Sequence, residues 1–333
     1  MKKVFLFLLA FGFSLFAAEA QILPAFGNSR VGTTGFQFLK IAPDARSAAI
    51  GNAVCANVND VSSLYWNPAG LTKLDSSKIH FQAGITNYFA GVKLEYFGIA
   101  HRLKRGGIIG LSFIGLNTGS MDVTTEFLPQ GNGQTFRAYE YDAAITYAKA
   151  LTKNFSFGIT GKFLQEKFAE VSSTDGVFDF GFQYEVGKAN TRFSAGISSF
   201  GFSAEPQGTI TIQTLNGFDT ISSYEKIAVP SVFRFGVGCD VVKKENQLLT
   251  IGAQLNHPTD NNETFSFGGE YCWKKTFFAR SGYEFGVDEN GIPSFGFGVR
   301  FKRRFGMIQL DYAFQQKNKL GNVNRISVSV SCF

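Results

Sequence analysis

The sequence predicts an all-β fold, a 14-stranded antiparallel transmembrane β-barrel with a short helical N-terminal plug. Three observations carry that expectation. The chain combines 38 Phe and 37 Gly with only 17% charged residues over 333 positions, whereas soluble domains carry about 25%. No apolar run long enough for a spanning helix, about 20 residues, follows the extreme N-terminus. From Lys78 onward, short segments alternate apolar and polar residues with a period of two, as strands between lipid and a lumen must.

The elements follow in chain order. Residues 1–20 read as a secretory signal peptide: Lys2 and Lys3 form a basic start, VFLFLLAFGFSLF an apolar stretch, and Ala18-Glu19-Ala20 a cleavage site before Gln21. A membrane anchor is disfavoured because the run is short and ends in small residues. In residues 21–77, Pro43 and Asp44 start a short helix of small residues that Gly51 ends. Asp60, Ser62 or Ser63 cap a second turn, which Pro68 and Gly70 end. So few large apolar side chains could hardly form a core of their own. The segment is therefore expected inside the barrel as a plug rather than as a subdomain below it.

Residues 78–333 form the barrel. Tyr139, Tyr141, Ala143, Ile145 and Tyr147 share one face against Glu140, Asp142, Ala144 and Thr146, and Phe178, Phe180, Phe182 and Tyr184 oppose Asp179, Gln183 and Glu185. A soluble sandwich would place more Val, Ile and Leu on its core face. The expected strands span 78–86, 92–102, 107–116, 137–149, 154–166, 176–186, 191–202, 230–242, 246–256, 263–274, 276–286, 293–303, 305–315 and 323–333. Every second connection is short and carries Lys or Arg, as at 103–107, 150–154, 187–190, 243–246, 273–275 and 302–306. These read as periplasmic turns, and 117–136, 203–229, 257–263 and 286–293 as extracellular loops. Phe333 is an aromatic terminus of the kind barrel-assembly machinery recognises, although it falls in register with serines, as an edge strand with an incidental Phe would also have it.

Several function classes lose support. The net charge of +6 includes two lysines of the leader, and no basic face with stacking aromatics points to nucleic acid. Cys55, Cys239, Cys272 and Cys332 are far apart and share no C-x-x-C spacing, with Cys239 expected toward lipid and Cys272 toward the lumen, so a disulfide framework is not expected. His80, His101 and His257 lack metal-ligand spacing or a placed carboxylate partner, which leaves catalysis and metal binding without a motif. The lumen is expected to be lined by Lys93, Glu95, Glu140, Asp142, Lys162, Asp179, Glu185, Arg234, Asp240, Glu270, Arg280, Glu284, Arg300 and Asp311. Charges there must be solvated or paired, which suits a wet pore or ion pairs with a plug.

GFQFLKIAPDARSAAIGNA and NDVSSLYWNPAGL carry a resemblance over residues 36–71, and Pro43, Asp44, Arg46, Trp66, Asn67, Pro68 and Gly70 form the shared plug motif. Here the chain resembles the PorV/PorQ family of outer-membrane proteins, itself similar to FadL-type long-chain fatty-acid transporters. The resemblance implies a plugged fourteen-stranded barrel in a Bacteroidetes-type outer membrane. PorV-like members of the type IX secretion system bind the C-terminal signal domains of cargo, take them from the translocon barrel and shuttle them to a cell-surface attachment complex. PorQ-like members belong to that complex, and FadL-type relatives pass hydrophobic molecules through a lateral opening. A non-enzymatic barrel without cofactor is thus expected, with outer-membrane lipid, the translocon barrel, and cargo C-terminal domains or attachment-complex subunits as partners. Contacts would run through loops 117–136 and 203–229 and the lipid-facing wall. The alternative is a FadL-like transporter of hydrophobic or small solutes, which the charged lumen weakens.

Overall fold

The computed structural model describes residues 31–104, 106–126, 128–187, 190–214, 217–287 and 289–332. The signal peptide expected at 1–20 and the aromatic terminus Phe333 lie outside the described residues. Among the described residues fourteen antiparallel strands close into one barrel. They are β1 Ile79–Asn87, β2 Lys93–Arg102, β3 Gly107–Asn117, β4 Ala138–Ala150, β5 Phe155–Phe168, β6 Val171–Val186, β7 Thr191–Gly201, β8 Val232–Lys244, β9 Gln247–Pro258, β10 Thr264–Trp273, β11 Phe277–Phe285, β12 Ser294–Arg303, β13 Gly306–Lys317 and β14 Gly321–Cys332. Closure runs between the first and last strands, with Ile79 opposite Cys332 and Asn87 opposite Asn324. Closure leaves no strand edge open to lipid, where an unpaired backbone group would cost several kcal/mol.

Each strand turns its alternating apolar positions outward, and the outer wall is rich in Phe. On β4 the outward stripe runs from Tyr139 to Tyr147, eight residues or about 21 Å of height at a strand tilt near 40°. That height fits the apolar band of a barrel, with a tyrosine near each boundary.

Three details differ from the sequence reading. Lys93 and Glu95 point outward with Phe97, while Leu94 and Tyr96 face in and are almost fully buried. The cause lies two residues on: Gly98 must face inward, because a Cβ there would lie 2.7 Å from Val61 Cγ1. Second, β5 and β6 run past their expected bounds of 154–166 and 176–186, through most of residues 167–175, and meet in a tight turn with Ala169 at φ 49°. Third, Pro68 starts a helical turn instead of ending one. A 3-10 helix runs Pro68–Lys73, with Asn67 as its N-cap accepting from the Ala69 amide; proline fits that first position because the first-turn N–H would be unpaired anyway.

Inside the wall lies the segment from residue 31 to 77, which holds helices α1, Ala45–Ala49, and α2, Ser63–Trp66. Asp44 caps α1 through its side chain and Gly51 follows at φ +63°. The largest buried apolar cluster joins this segment (Phe36, Phe38, Leu39, Ile50, Val54, Tyr65, Trp66) to inward wall residues Leu94, Tyr96, Ile114, Leu116, Leu164 and Val177. The barrel therefore has its main core in its lumen. Inward glycines permit the close approach: a Cβ on Gly252 would sit 2.5 Å from the Ala53 carbonyl oxygen, and one on Gly158 would sit 2.5 Å from the Pro68 carbonyl carbon.

Candidate functional site

The plug is held by three sets of polar contacts, stacked along the barrel. The lowest is a charge network. Arg46, on α1, reaches Asp60 through Nη1 at 2.6 Å and Glu270 of β10 through Nε at 3.0 Å. Arg280 of β11 donates to Glu270 at 2.6 Å and to Asp311 of β13 at 2.7 Å. Arg300 joins through Gln309, which in turn donates to Asp311, and its guanidinium stacks 4.7 Å from the Phe278 ring. Three arginines thus meet three carboxylates, and the network is neutral as a whole. Charges so deep are tolerable only when mutually paired.

The middle set centres on Trp66. Its indole N–H donates to Asp44 Oδ1 at 2.9 Å, while Asp44 Oδ2 accepts from the Ser47 amide at 2.8 Å. One carboxylate thereby caps α1 and ties it to α2. Arg234 of β8 lies 5.3 Å from both the Tyr65 and Trp66 rings and donates to Ser198 Oγ at 2.5 Å. Asn67 Nδ2 donates to Ser194 Oγ at 2.8 Å and lies 3.1 Å from the Cys55 carbonyl, while the Pro43 carbonyl lies against Gly84 and the Val58 side chain against Gly70. Lys162 pairs with Asp179 at 2.8 Å and with Asp142 at 3.7 Å.

The upper set lies at the end bearing the long loops. Asp260, in the turn after β9, accepts from Thr34 Oγ1 at 2.6 Å and Gln37 Nε2 at 2.9 Å, and pairs with Lys40 at 2.9 Å. Burial raises the Asp260 pKa, but these donors outweigh it and hold the carboxyl below its ordinary 3.8. The Phe36 amide donates to Glu166 at 2.5 Å, and the Gly35 amide donates to the Ala228 carbonyl at 3.1 Å. Loop 202–231, which folds into short ribbons of its own, is thereby latched to the start of the plug. Between this latch and the Trp66 layer lies a cavity of about 570 Å³, whose lining includes the apolar Phe38, Ile41, Tyr88 and Phe89 and the charged Glu140, Arg234, Glu284, Lys317 and Arg325.

The residues singled out in the sequence separate cleanly. Arg46, Glu270, Arg280 and Arg300 converge in the lower network, Pro43, Asp44, Trp66, Asn67, Pro68, Gly70 and Arg234 in the middle layer, Glu140 lines the cavity, and Asp142 sits beside Lys162. Asp60 is a network partner that sequence reasoning took only for a cap. Asp260 and Glu166 escaped it because a lone acid in a loop or near a strand end carries no periodic signal. The four cysteines are free thiols, and among the described residues no group of three or more His, Cys, Asp or Glu is placed to hold a metal ion.

Comparison with solved structures gives the fold class. The Pseudomonas putida toluene transporter TodX superposes with a TM-score of 0.58 at 13% identity, covering 86% of this chain and 96% of that one. A Pseudomonas aeruginosa FadL homologue gives 0.54 at 11% identity, covering 87% and 98%. A Neisseria meningitidis serogroup B protein named as an outer membrane protein is 36% identical over 89 residues, 26% of this chain and 19% of that relative. The chain thus spans about a fifth of the length of the curated relative it matches. The family model for type IX secretion system protein PorV matches residues 25–258. With its closed barrel, its FadL-like architecture and its internal segment bearing the Asp44–Trp66 motif, the chain belongs to the PorV family of outer-membrane β-barrel proteins.

Proposed function

We propose that this chain is a non-enzymatic component of type IX secretion. In this reading it is a plugged barrel that offers its extracellular face to the C-terminal signal domains of cargo, to the translocon barrel, or to both, for delivery to a surface attachment complex. The observation that supports this best is the latch. Loop 202–231 and the turn carrying Asp260 are bound to residues 34–40, which makes that end a built surface, and the packed plug beneath it leaves binding, not conduction, as the natural use of the barrel. The loop between β3 and β4 adds a second hairpin, Met121–Asp122 with Thr135–Phe136.

The cavity of about 570 Å³ favours a second reading, a FadL-like transporter of hydrophobic or small solutes; TodX, which shares the fold, is a toluene transporter. It ranks lower because the cavity carries charges of both signs and its floor is the packed Trp66 layer.

Affinity purification of the tagged protein from native membranes in mild detergent separates the two. Co-recovery of a large translocon barrel or of cargo C-terminal domains supports the first; recovery of the protein alone overturns it. Protein-dependent uptake of fatty acid or toluene into liposomes would place the second reading first.

A further inference from the structure

The outer wall carries a notch that the plugged-barrel role does not use. It lies across β4, β5 and β6, holds about 440 Å³, and is walled by Leu111, Ile145, Phe163 and Phe178. Its floor is Ala143, Gly161 and Gly176, all on the outward face. The two floor glycines differ from those that meet the plug. Neither has a positive φ, and a Cβ would come no nearer than 3.8 Å to the Phe178 ring at Gly161 or 3.9 Å to the Lys162 carbonyl oxygen at Gly176. The protein's own packing leaves room for a side chain at both positions.

Directly above the notch the wall changes chemistry. Tyr141 is hydrogen-bonded to Gln165 across β4 and β5. One step higher, Lys167 stands opposite Tyr139, whose hydroxyl accepts from Arg137 Nη1 at 3.4 Å. The outward neighbours Gln165, Ser172 and Thr174 are uncharged, the acids of these strands (Glu140, Asp142, Glu166, Asp175, Asp179 and Glu185) stand at inward positions, and an exposed acid, Glu170, stands at this rim in the turn between β5 and β6. Phe163 to Lys167 is four residues, about 14 Å along the strand. A lipid whose phosphate met Arg137 and Lys167 would lay its upper methylenes past Tyr141 and its chain into the notch.

We propose that this notch and the basic pair above it form a specific site for a net-anionic lipid of the outer leaflet that bears a phosphomonoester, as opposed to a zwitterionic phosphodiester lipid, with one acyl chain seated over Gly161 and Gly176 and the phosphate held by Arg137 and Lys167. Charge complementarity selects this occupant over a neighbouring apolar protein surface, which would gain nothing from two cations at the boundary.

The test is native mass spectrometry of the purified full-length mature protein, titrated with lipid A or with phosphatidylcholine. Variants are the double change Arg137→Gln with Lys167→Gln, and Gly176→Leu; heat-modifiable mobility on gels checks that each barrel is folded. A basic side chain at an anionic lipid surface is worth about fivefold in binding, so the wild type should retain lipid A about 25-fold better than phosphatidylcholine. The double variant should lose that preference while keeping basal lipid adducts, and Gly176→Leu should reduce lipid A retention. Equal retention of the two lipids by the wild type, or unchanged preference in both folded variants, overturns the site. So does a photo-crosslinker at Phe178 that captures a protein instead of lipid in native membranes.

Discussion

Glu270→Gln tests whether the lumen is dry around Arg46. Glu270 accepts from Arg46 at 3.0 Å and from Arg280 at 2.6 Å, and the side chains of all three are at most 12% exposed. Removing its charge leaves two guanidinium groups facing each other beside Asp60 and Asp311, with a net charge of +1 where the network was neutral. Breaking a buried pair in this way costs about 3–5 kcal/mol, whereas an exposed pair is worth about 0.2–1 kcal/mol. At about 2 °C per kcal/mol for a chain of this size, the dry network predicts a loss of roughly 6–10 °C, and a wet one less than about 2 °C. The assay is the temperature at which the folded gel band converts to the unfolded one in a fixed detergent, with planar-bilayer current recorded in parallel. Arg46→Met should cost less, since Glu270 keeps Arg280. The double variant should cost less than the sum of the singles, with a coupling of about 0.5–3 kcal/mol. A shift under 2 °C for Glu270→Gln, together with additive singles, would refute the paired, water-poor network and leave a solvated pore lining in its place.

Further outcomes follow from the same contacts. Deleting residues 36–71 removes the packed layer and should open a steady conductance in planar bilayers; an unchanged baseline would mean that the segment does not block the lumen. Gly282→Ala brings a Cβ into the backbone of Ile50 and Gly51, an overpacking expected to cost about 1–3 kcal/mol. It should give intermittent channel openings, while Gly176→Ala on the outer wall should leave thermal stability within about 0.5 kcal/mol. The Asp260 clasp should depend on pH: its carboxyl is held below 3.8 in the fold, so its stabilisation is present above that value and is lost as pH falls through the lower folded value. Proteolysis near residues 34–40 should therefore rise only in strong acid, and at neutral pH in Asp260→Asn. Val31, exposed at the latch end, should as Val31→Cys react with a membrane-impermeant maleimide added to intact cells, which checks that this end faces outward.

Much of the barrel was legible because lipid imposes one simple demand. Outward positions must be apolar, so Phe178, Phe180 and Phe182 declare their face without knowledge of any neighbour, and tight basic turns fix the alternation of ends. The inner face obeys no such rule, because its solvent is the plug. Where the plug presents Leu64 and Val61, the wall answers with Gly98 and, nearby, Leu94 and Tyr96; where it presents Arg46, the wall answers with Glu270. In β2 both faces therefore look half apolar, and periodicity alone turned Lys93 and Glu95 the wrong way.

The motif APDARSAAIGNA with YWNPAG marks the family, yet its physical content emerges only when the two stretches meet. Asp44 serves one as a helix cap and the other as the acceptor for the Trp66 indole; Ala49 of α1 approaches the wall because β12 gives up its side chain at Gly296, and Ile50, Gly51 and Ala53 just after α1 do so because β11 and β9 give up theirs at Gly282 and Gly252. Plug and wall thus specify each other: a glycine facing inward is a statement about the segment it meets, while Gly161 and Gly176, facing outward with room to spare, are a statement about something outside the chain. The same residue type carries opposite information on the two faces, and only closure of the barrel tells them apart.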